Sequence, residues 1–399
     1  MLKRRFYFLY ALVIALSSFS GIFRLGTTVY IIATGLFILI SFCFGIKNTK
    51  FGSIGLLGFV FVCLFSIFVN NPPSYFRVWE RLAIFICTLL AYSPLIVNSK
   101  IGKNRVCLFE GLVFIMMIYG VASFIGFFFG INYFIRNEEL LDYTEAGHFS
   151  GFTNHSMVLA PVSSLGGIYG LSQLLTKQRK GLLGLFWWGM TFMCFGAVLL
   201  SASRGSLGGL VLALVVAVYR YSAAHMGRFI RYGLYVIAAL AISFPLWGGL
   251  TDYVIKKNDY NISQGGIAYS REAKMAARLY EIKNNIITGV GFSVVDEDVD
   301  YVDRQTGTIE PNSSWLGVFS MTGVFGFLLF LGIFIHAFYS AYKKIPDKQI
   351  SILLSAIMGY FFVHMMIEGY VLAGGSFLCG TYWLTIGVIY SYSNLVKVF

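Results

Sequence analysis

Charge is the scarcest commodity in this 399-residue sequence: 12% of the residues are charged and 57% are hydrophobic. A soluble domain carries roughly 25% charged residues, so about half of the usual polar skin is missing. A larger core cannot absorb that deficit, because a larger soluble domain still needs a polar surface. A soluble globule, a disordered chain and a nucleic-acid-binding module are therefore excluded, despite the formal net charge of +12. Acidic side chains are scarce, 18 against 30 basic ones, and there are five histidines. No H-x-x-x-H or C-x-x-C spacing occurs, so no metal site and no cofactor are expected. The six cysteines all fall within or beside apolar runs, where cysteine acts as a small hydrophobe and no disulfide framework is implied. A G-x-x-x-x-G-K-[ST] loop is also lacking, which argues against chemistry driven by a bound nucleotide.

What the sequence has is apolar runs of about 20 residues, the length that crosses a bilayer core. They predict spans near 6–23, 27–46, 51–69, 76–97, 107–130, 156–175, 183–201, 206–222, 229–249, 315–340, 350–372 and 376–394. The expected fold class is an all-α integral membrane protein of about twelve transmembrane helices. The first run follows Lys3-Arg4-Arg5 but lacks a small-x-small cleavage site, so it is read as a span and not a signal peptide. Alternate connections carry Lys3/Arg4/Arg5, Lys47/Lys50, Lys100/Lys103/Arg105, Lys177/Arg179/Lys180, Arg220/Arg228/Arg231, Lys343/Lys344/Lys348 and Lys397. By the positive-inside rule that side is the cytoplasm and both termini are inside. The basicity is thus a topology signal. Three regions follow: helices one to nine over 1–249, a long extracytoplasmic loop over 250–314, and helices ten to twelve over 315–399.

The long loop sits between the ninth and tenth spans and holds an amphipathic helix that starts near Ser270, a plausible N-cap. Met275, Leu279, Ile282 and Ile286 share an apolar stripe, with Arg271, Lys274 and Arg278 on the stripe beside it. Cations beside an apolar strip suit a lipid phosphate or pyrophosphate, and the pattern alone suits somewhat better an interfacial helix touching anionic head groups. The helix is expected to end at Gly289-Val290-Gly291, followed by an acidic, solvated stretch from Asp296 to Asp303. A second candidate is Ser201-Ala202-Ser203-Arg204-Gly205, where Ser203 can cap a new helix and Arg204 is either a bidentate anion donor or an arginine snorkelling from a helix end. Arg77 and Arg81 form an i, i+4 pair with Glu80 beside them, which serves either an anion or a local ion pair. His364 and Glu368 are four apart on the eleventh span, an ionisable pair inside a membrane segment.

Three of these segments, taken together, resemble one family. They are Ser201–Gly205; Ser270-Arg271 followed eighteen residues after Arg271 by Gly289-Val290-Gly291; and Asn312-Ser313-Ser314-Trp315-Leu316 running to Thr322-Gly323-Val324-Phe325-Gly326. Gly151–His155 is a weaker fourth. Their order around one long loop is similar to the O-antigen ligase and polymerase superfamily, over roughly residues 147–330. The resemblance implies an inverting, metal-independent glycosyltransferase of the bacterial plasma (inner) membrane whose site faces outward. It implies an undecaprenyl-diphosphate-linked glycan as donor, and a sugar or lipid A-core-like acceptor, in lipopolysaccharide or other surface polysaccharide biosynthesis. It assigns the pyrophosphate clamp to Arg204 and Arg271; Lys274, Arg278, Arg77 and Arg81 join the anion-binding set from geometry alone.

One departure matters. Ligases of the family have a histidine eleven residues before the glycine that matches Gly323, and here that position is Asn312. An amide orients a hydroxyl but cannot take its proton near neutral pH. Glu310 is the nearest replacement, with His155, His148 and Glu368 as alternatives. The competing class is a transporter or flippase of lipid-linked saccharide, which the span count allows. Transporters usually show two related halves, and no internal repeat is present. A structural scaffold would leave Arg204 and Arg271 without a role.

Overall fold

The computed structural model describes residues 2–23, 25–43, 49–133, 149–177, 181–222, 225–234, 251, 255, 259, 262, 269–300, 302–305, 307, 309 and 312–394. Twelve named helices run in the order α1 (Leu2–Ser18), α2 (Gly26–Cys43), α3 (Ile54–Asn70), α4 (Val78–Tyr92), α5 (Ser99–Phe128), α6 (Ser156–Thr176), α7 (Gly181–Leu200), α8 (Arg204–Tyr221), α9 (Tyr269–Asn284), α10 (Ser314–Tyr339), α11 (Lys348–Ile367) and α12 (Phe377–Asn394). Among the described residues, six helices are long and apolar enough to cross a membrane: α5, α6, α7, α8, α11 and α10 with the turn that continues it to Lys344. Every expected span overlaps described helix; for the ninth this is residues 226–234, and the rest of that span, 235–249, lies outside the described residues. Among the described residues, β1 (Lys50–Phe51) pairs antiparallel with β2 (Ile96–Val97).

The chain divides into two compact units. The first comprises Met1–Gly26, Glu110–Ile267 and Ala341–Val363. Here α6 packs along α7 and α8. Small residues permit this closeness: a Cβ added at Gly166 would strike the backbone of Met117 on α5, and one at Gly170 would strike Thr191 on α7. Apolar side chains gain little by leaving lipid for one another, so close backbone approach is what holds such helices together.

The second unit comprises Thr27–Phe109, Ala268–Ser340 and His364–Phe399. In it α3 packs on α10, and α12 on α4. Ser53 starts α3 by accepting the Leu56 N–H, and Ser313 starts α10 by accepting the Leu316 N–H at 3.3 Å, each satisfying an otherwise orphaned donor. An aromatic core joins the helices: Phe59 lies 5.9 Å from Phe330 and Phe85 lies 6.1 Å from Trp383, ring centre to ring centre. Arg105, which the charge pattern placed in a basic connection, is instead buried. Its guanidinium donates to the carbonyls of Ala91, Ile96 and Leu90 at 2.9–3.0 Å, closing the C-terminal end of α4, where carbonyls lack helical partners.

Candidate functional site

The site is built around a break in a helix. α10 leaves helical geometry at Gly323, with φ 67° and ψ −172°, a region that only glycine enters freely. In an unbroken helix, the Ser320 and Met321 carbonyls would accept from Val324 and Phe325. Instead Val290 N–H donates to Ser320 O at 2.8 Å, Gly291 N–H to Met321 O at 3.2 Å, and Val324 N–H to Ile286 O at 2.8 Å. The approach is so close that a Cβ on Gly323 would collide with Ile287 O, and one on Gly289 with the backbone of Met321. The two glycine motifs, far apart in sequence, are therefore two sides of one backbone junction. That junction fixes where α9 enters.

The segment after the junction is anchored before its acidic stretch begins. Phe292 is fully buried, its ring 5.6 Å from Phe85, and its N–H donates to Ser66 Oγ at 3.0 Å. Asp300 is pulled inward as well, 2.7 Å from Arg278. These contacts hold the segment as a strap along the second unit, while Asp298 in the acidic stretch stays exposed as expected.

α9 begins at Tyr269, a residue before the expected cap, and it presents the opposite face from a soluble amphipathic helix. Leu279 and Ile286 are 55% and 52% exposed, whereas Ala277, Arg278 and Glu281 are buried. Arg278 thus departs from its expected role: its guanidinium sits 2.8 Å from Glu281 and 2.7 Å from Asp300 with no exposed surface. A cation sealed between two carboxylates is a structural tie and is not presented to a substrate anion. Burial pushes the Glu281 carboxyl up to about 7, against the opposing pull of Arg278 and the Asp296 N–H. Lys274 is half-buried and Glu272 exposed on the same helix.

Arg271 sits where α9, the start of α10 and the end of α11 meet. Its Nη2 is 2.6 Å from Glu368 Oε1, and its Nη1 donates to Ile367 O. Both side chains keep partial exposure, 29% and 21%. Asn312, in left-handed geometry at φ 62°, donates through Nδ2 to the Arg271 carbonyl at 3.2 Å. Next along the chain, Ser313 Oγ donates to Met365 O. Ser314 donates to Glu368 O from both its N–H, at 3.0 Å, and its Oγ, at 2.7 Å. His364 Nδ1 meets the Tyr370 hydroxyl at 3.3 Å, and Glu368 meets Arg271.

Beside this cluster lies a cavity of about 560 Å³, lined in part by Arg81, Ser293, Ser313, Ser314, Gly369 and Tyr370. Arg81 donates from Nη1 to Ser293 Oγ at 3.0 Å and from Nη2 to Gly307 O at 2.6 Å, which binds the strap to α4. Arg77 is exposed at the entry to α4, in left-handed geometry. In the first unit, Arg204 opens α8, half-buried, with Ser203 at the N-cap position. The Ser203 hydroxyl does not cap the backbone as expected; it points to Ser206 Oγ at 3.4 Å. His155 is used as the N-cap of α6, its Nδ1 accepting the Met157 N–H at 3.1 Å. Glu310 and His148 lie outside the described residues.

Sequence reading missed Tyr370, Ser293 and the pairing of Arg271 with Glu368. The i, i+4 spacing of His364 and Glu368 was the available signal for this corner; nothing in the sequence linked it to a helix 97 residues away.

Residues 189–331 match a family model described as O-Antigen ligase, a stretch that contains Arg204, Arg271, Asn312 and both glycine motifs. No curated protein matches the chain. The match supports the resemblance to the O-antigen ligase and polymerase superfamily and a ligase-type role in surface polysaccharide synthesis. Together with the apolar helices, it indicates a multi-pass membrane protein.

Proposed function

We propose that this chain transfers a glycan from an undecaprenyl-diphosphate-linked donor to a sugar or lipid A-core-like acceptor, at the outer face of a bacterial inner membrane. The match over 189–331 carries this reading, and the chemistry around Arg271 fits it. The leaving pyrophosphate gains charge in the transition state, and a fixed guanidinium stabilises that charge. Loss of one such donor raises the barrier by about 3 kcal/mol. Arg271 and Arg204 are the phosphate-binding residues in this proposal, with Lys274 following Arg271 on α9. Arg278 is withdrawn from the set because its charge is consumed internally. The exposed stripe of Leu279 and Ile286 lies against lipid, which brings α9 to the depth of a lipid-linked phosphate.

The test is gel analysis of surface and lipid-linked glycans in a strain lacking the gene, complemented with parent, Arg271→Ala or Arg204→Ala. Single repeat units in place of a ladder identify a polymerase; a full ladder stranded on undecaprenyl diphosphate identifies a ligase. Both substitutions are expected to abolish complementation at normal levels of membrane-inserted protein. An unchanged glycan profile in the deletion strain refutes glycosyl transfer.

A further inference from the structure

A sugar hydroxyl that attacks an anomeric carbon must shed its proton as the new bond forms. Asn312 has no site for that proton, and its amide is committed to the Arg271 carbonyl. Glu368 Oε1, however, is 2.6 Å from Arg271 Nη2. The two Ser314 hydrogen bonds to the Glu368 carbonyl tie this residue to the start of α10, two positions beyond Asn312. Tyr370 N–H donates back to Ser314 Oγ at 3.0 Å, which completes the tie. Gly369, Tyr370, Ser313 and Ser314 also line the cavity of about 560 Å³, a size within the range of small-molecule sites. The Glu368 side chain is 21% exposed. The two residues that follow Glu368 thus line a sugar-sized cavity, while its carboxylate holds the arginine whose own carbonyl is held by the asparagine that cannot act as a base.

Resting on the glycosyl-transfer reading above, we propose that Glu368 is the general base and that Arg271 masks it until the donor binds. In the structure the guanidinium and carboxylate neutralise each other, and an arginine-bound carboxylate is a poor proton acceptor. A pyrophosphate competes for the same guanidinium with more charge and more acceptor oxygens. As Arg271 turns to the phosphate, the carboxylate is released toward the cavity. The acceptor oxygen then bonds to the anomeric carbon, and its proton passes to Glu368. The anomeric C–O bond to phosphate breaks, and its electron pair leaves with undecaprenyl diphosphate. No further reactant is consumed. Among the described residues, the charged or titratable groups that face Glu368 include Arg271 from α9, His364 one turn earlier in α11, and Tyr370, which is hydrogen-bonded to His364; Asn312 and Ser314 from the α10 side bring no charge. Arg81 lines the neighbouring cavity.

The test uses the full chain in native membranes, with lipid-linked glycan extracted from the deletion strain as donor. Transfer is followed by gel mobility across roughly pH 3 to 9, a window that brackets the titration of an ordinary carboxylate. Glu368→Gln is expected to lower kcat on the order of 10²- to 10⁴-fold and to remove the fall in rate toward acid pH. Undecaprenyl diphosphate should inhibit this variant at least as strongly as the parent, because Arg271 no longer has a competing partner. Glu368→Asp should retain activity well above that of Glu368→Gln. Parental kcat in Glu368→Gln, with only a raised donor KM and weaker inhibition, overturns the proposal and leaves Glu368 as a holder of Arg271. Absence of transfer by the parent itself refutes the glycosyl-transfer reading, and the base assignment falls with it.

Discussion

Replacing Gly323 by alanine tests the junction on which the whole site is hung. Backbone geometry at φ 67° and ψ −172° costs a non-glycine residue about 1–3 kcal/mol. The new Cβ would also collide with Ile287 O, so the chain must give way. If α10 straightens, the Ser320 and Met321 carbonyls regain helical partners, while the Ile286, Val290 and Gly291 backbone groups lose theirs. Each orphaned hydrogen bond is worth roughly 1 kcal/mol net, so a local loss of about 2–4 kcal/mol is expected. Amide hydrogen exchange over 286–295 reads this directly. At about 1.4 kcal/mol per tenfold, exchange there should accelerate roughly 30- to 1,000-fold. Gly332→Ala is the control, because that glycine is helical with open space around its Cα, and alanine there should be neutral or slightly stabilising. Adding Gly289→Ala to Gly323→Ala should cost little more than either alone, since both break the same junction. Parental exchange rates over 286–295 in Gly323→Ala would falsify the backbone lock.

Two further predictions concern the buried tie on α9. Arg278→Met leaves the Glu281 and Asp300 carboxylates without their cation, and should destabilise the chain by about 3–5 kcal/mol in a thermal melt in detergent; an unchanged melt removes the tie from the account of stability. Glu281 supplies a pH signature, because burial raises its carboxyl from 4.5 to about 7. The folded chain therefore keeps a proton that the unfolded chain releases at lower pH, so the contribution is full below about 4.5 and is lost as pH rises through about 7. Glu281→Gln should flatten that decline in melting temperature over the same range, and parallel curves for parent and variant would exclude it.

How far the sequence foretold this depends on which solvent each residue meets. Apolar runs of membrane length were legible because lipid imposes one demand, length without charge, and that demand is visible locally. The stripe on α9 was legible as a stripe, but not as a direction. In water Leu279 and Ile286 would turn inward; beside lipid the apolar face can stay outside, which freed Arg278 and Glu281 to be the buried side. Periodicity specifies a face and is silent about its partner. Arg271 was legible through its motif and Glu368 as one of several candidate bases, while their pairing was not, because side chains 97 positions apart meet only after three helices have been placed.

The glycine motifs show the same limit and suggest how to read past it. Gly323 sits inside a long apolar run, where a free backbone group costs several kcal/mol because lipid offers no hydrogen bonds. A break there is tolerable only if some other segment brings donors for the abandoned carbonyls and an acceptor for the abandoned N–H. That segment must approach within backbone contact distance, so it too needs a residue without a side chain. Gly289-Val290-Gly291 meets both requirements, with two N–H donors from Val290 and Gly291 and a carbonyl from Ile286. The functional consequence is positional. Because the junction seizes the chain just past the end of α9, it fixes the line along which Arg271 reaches Glu368. A glycine defect in a membrane helix thereby becomes the mount for the arginine on which the proposed chemistry turns.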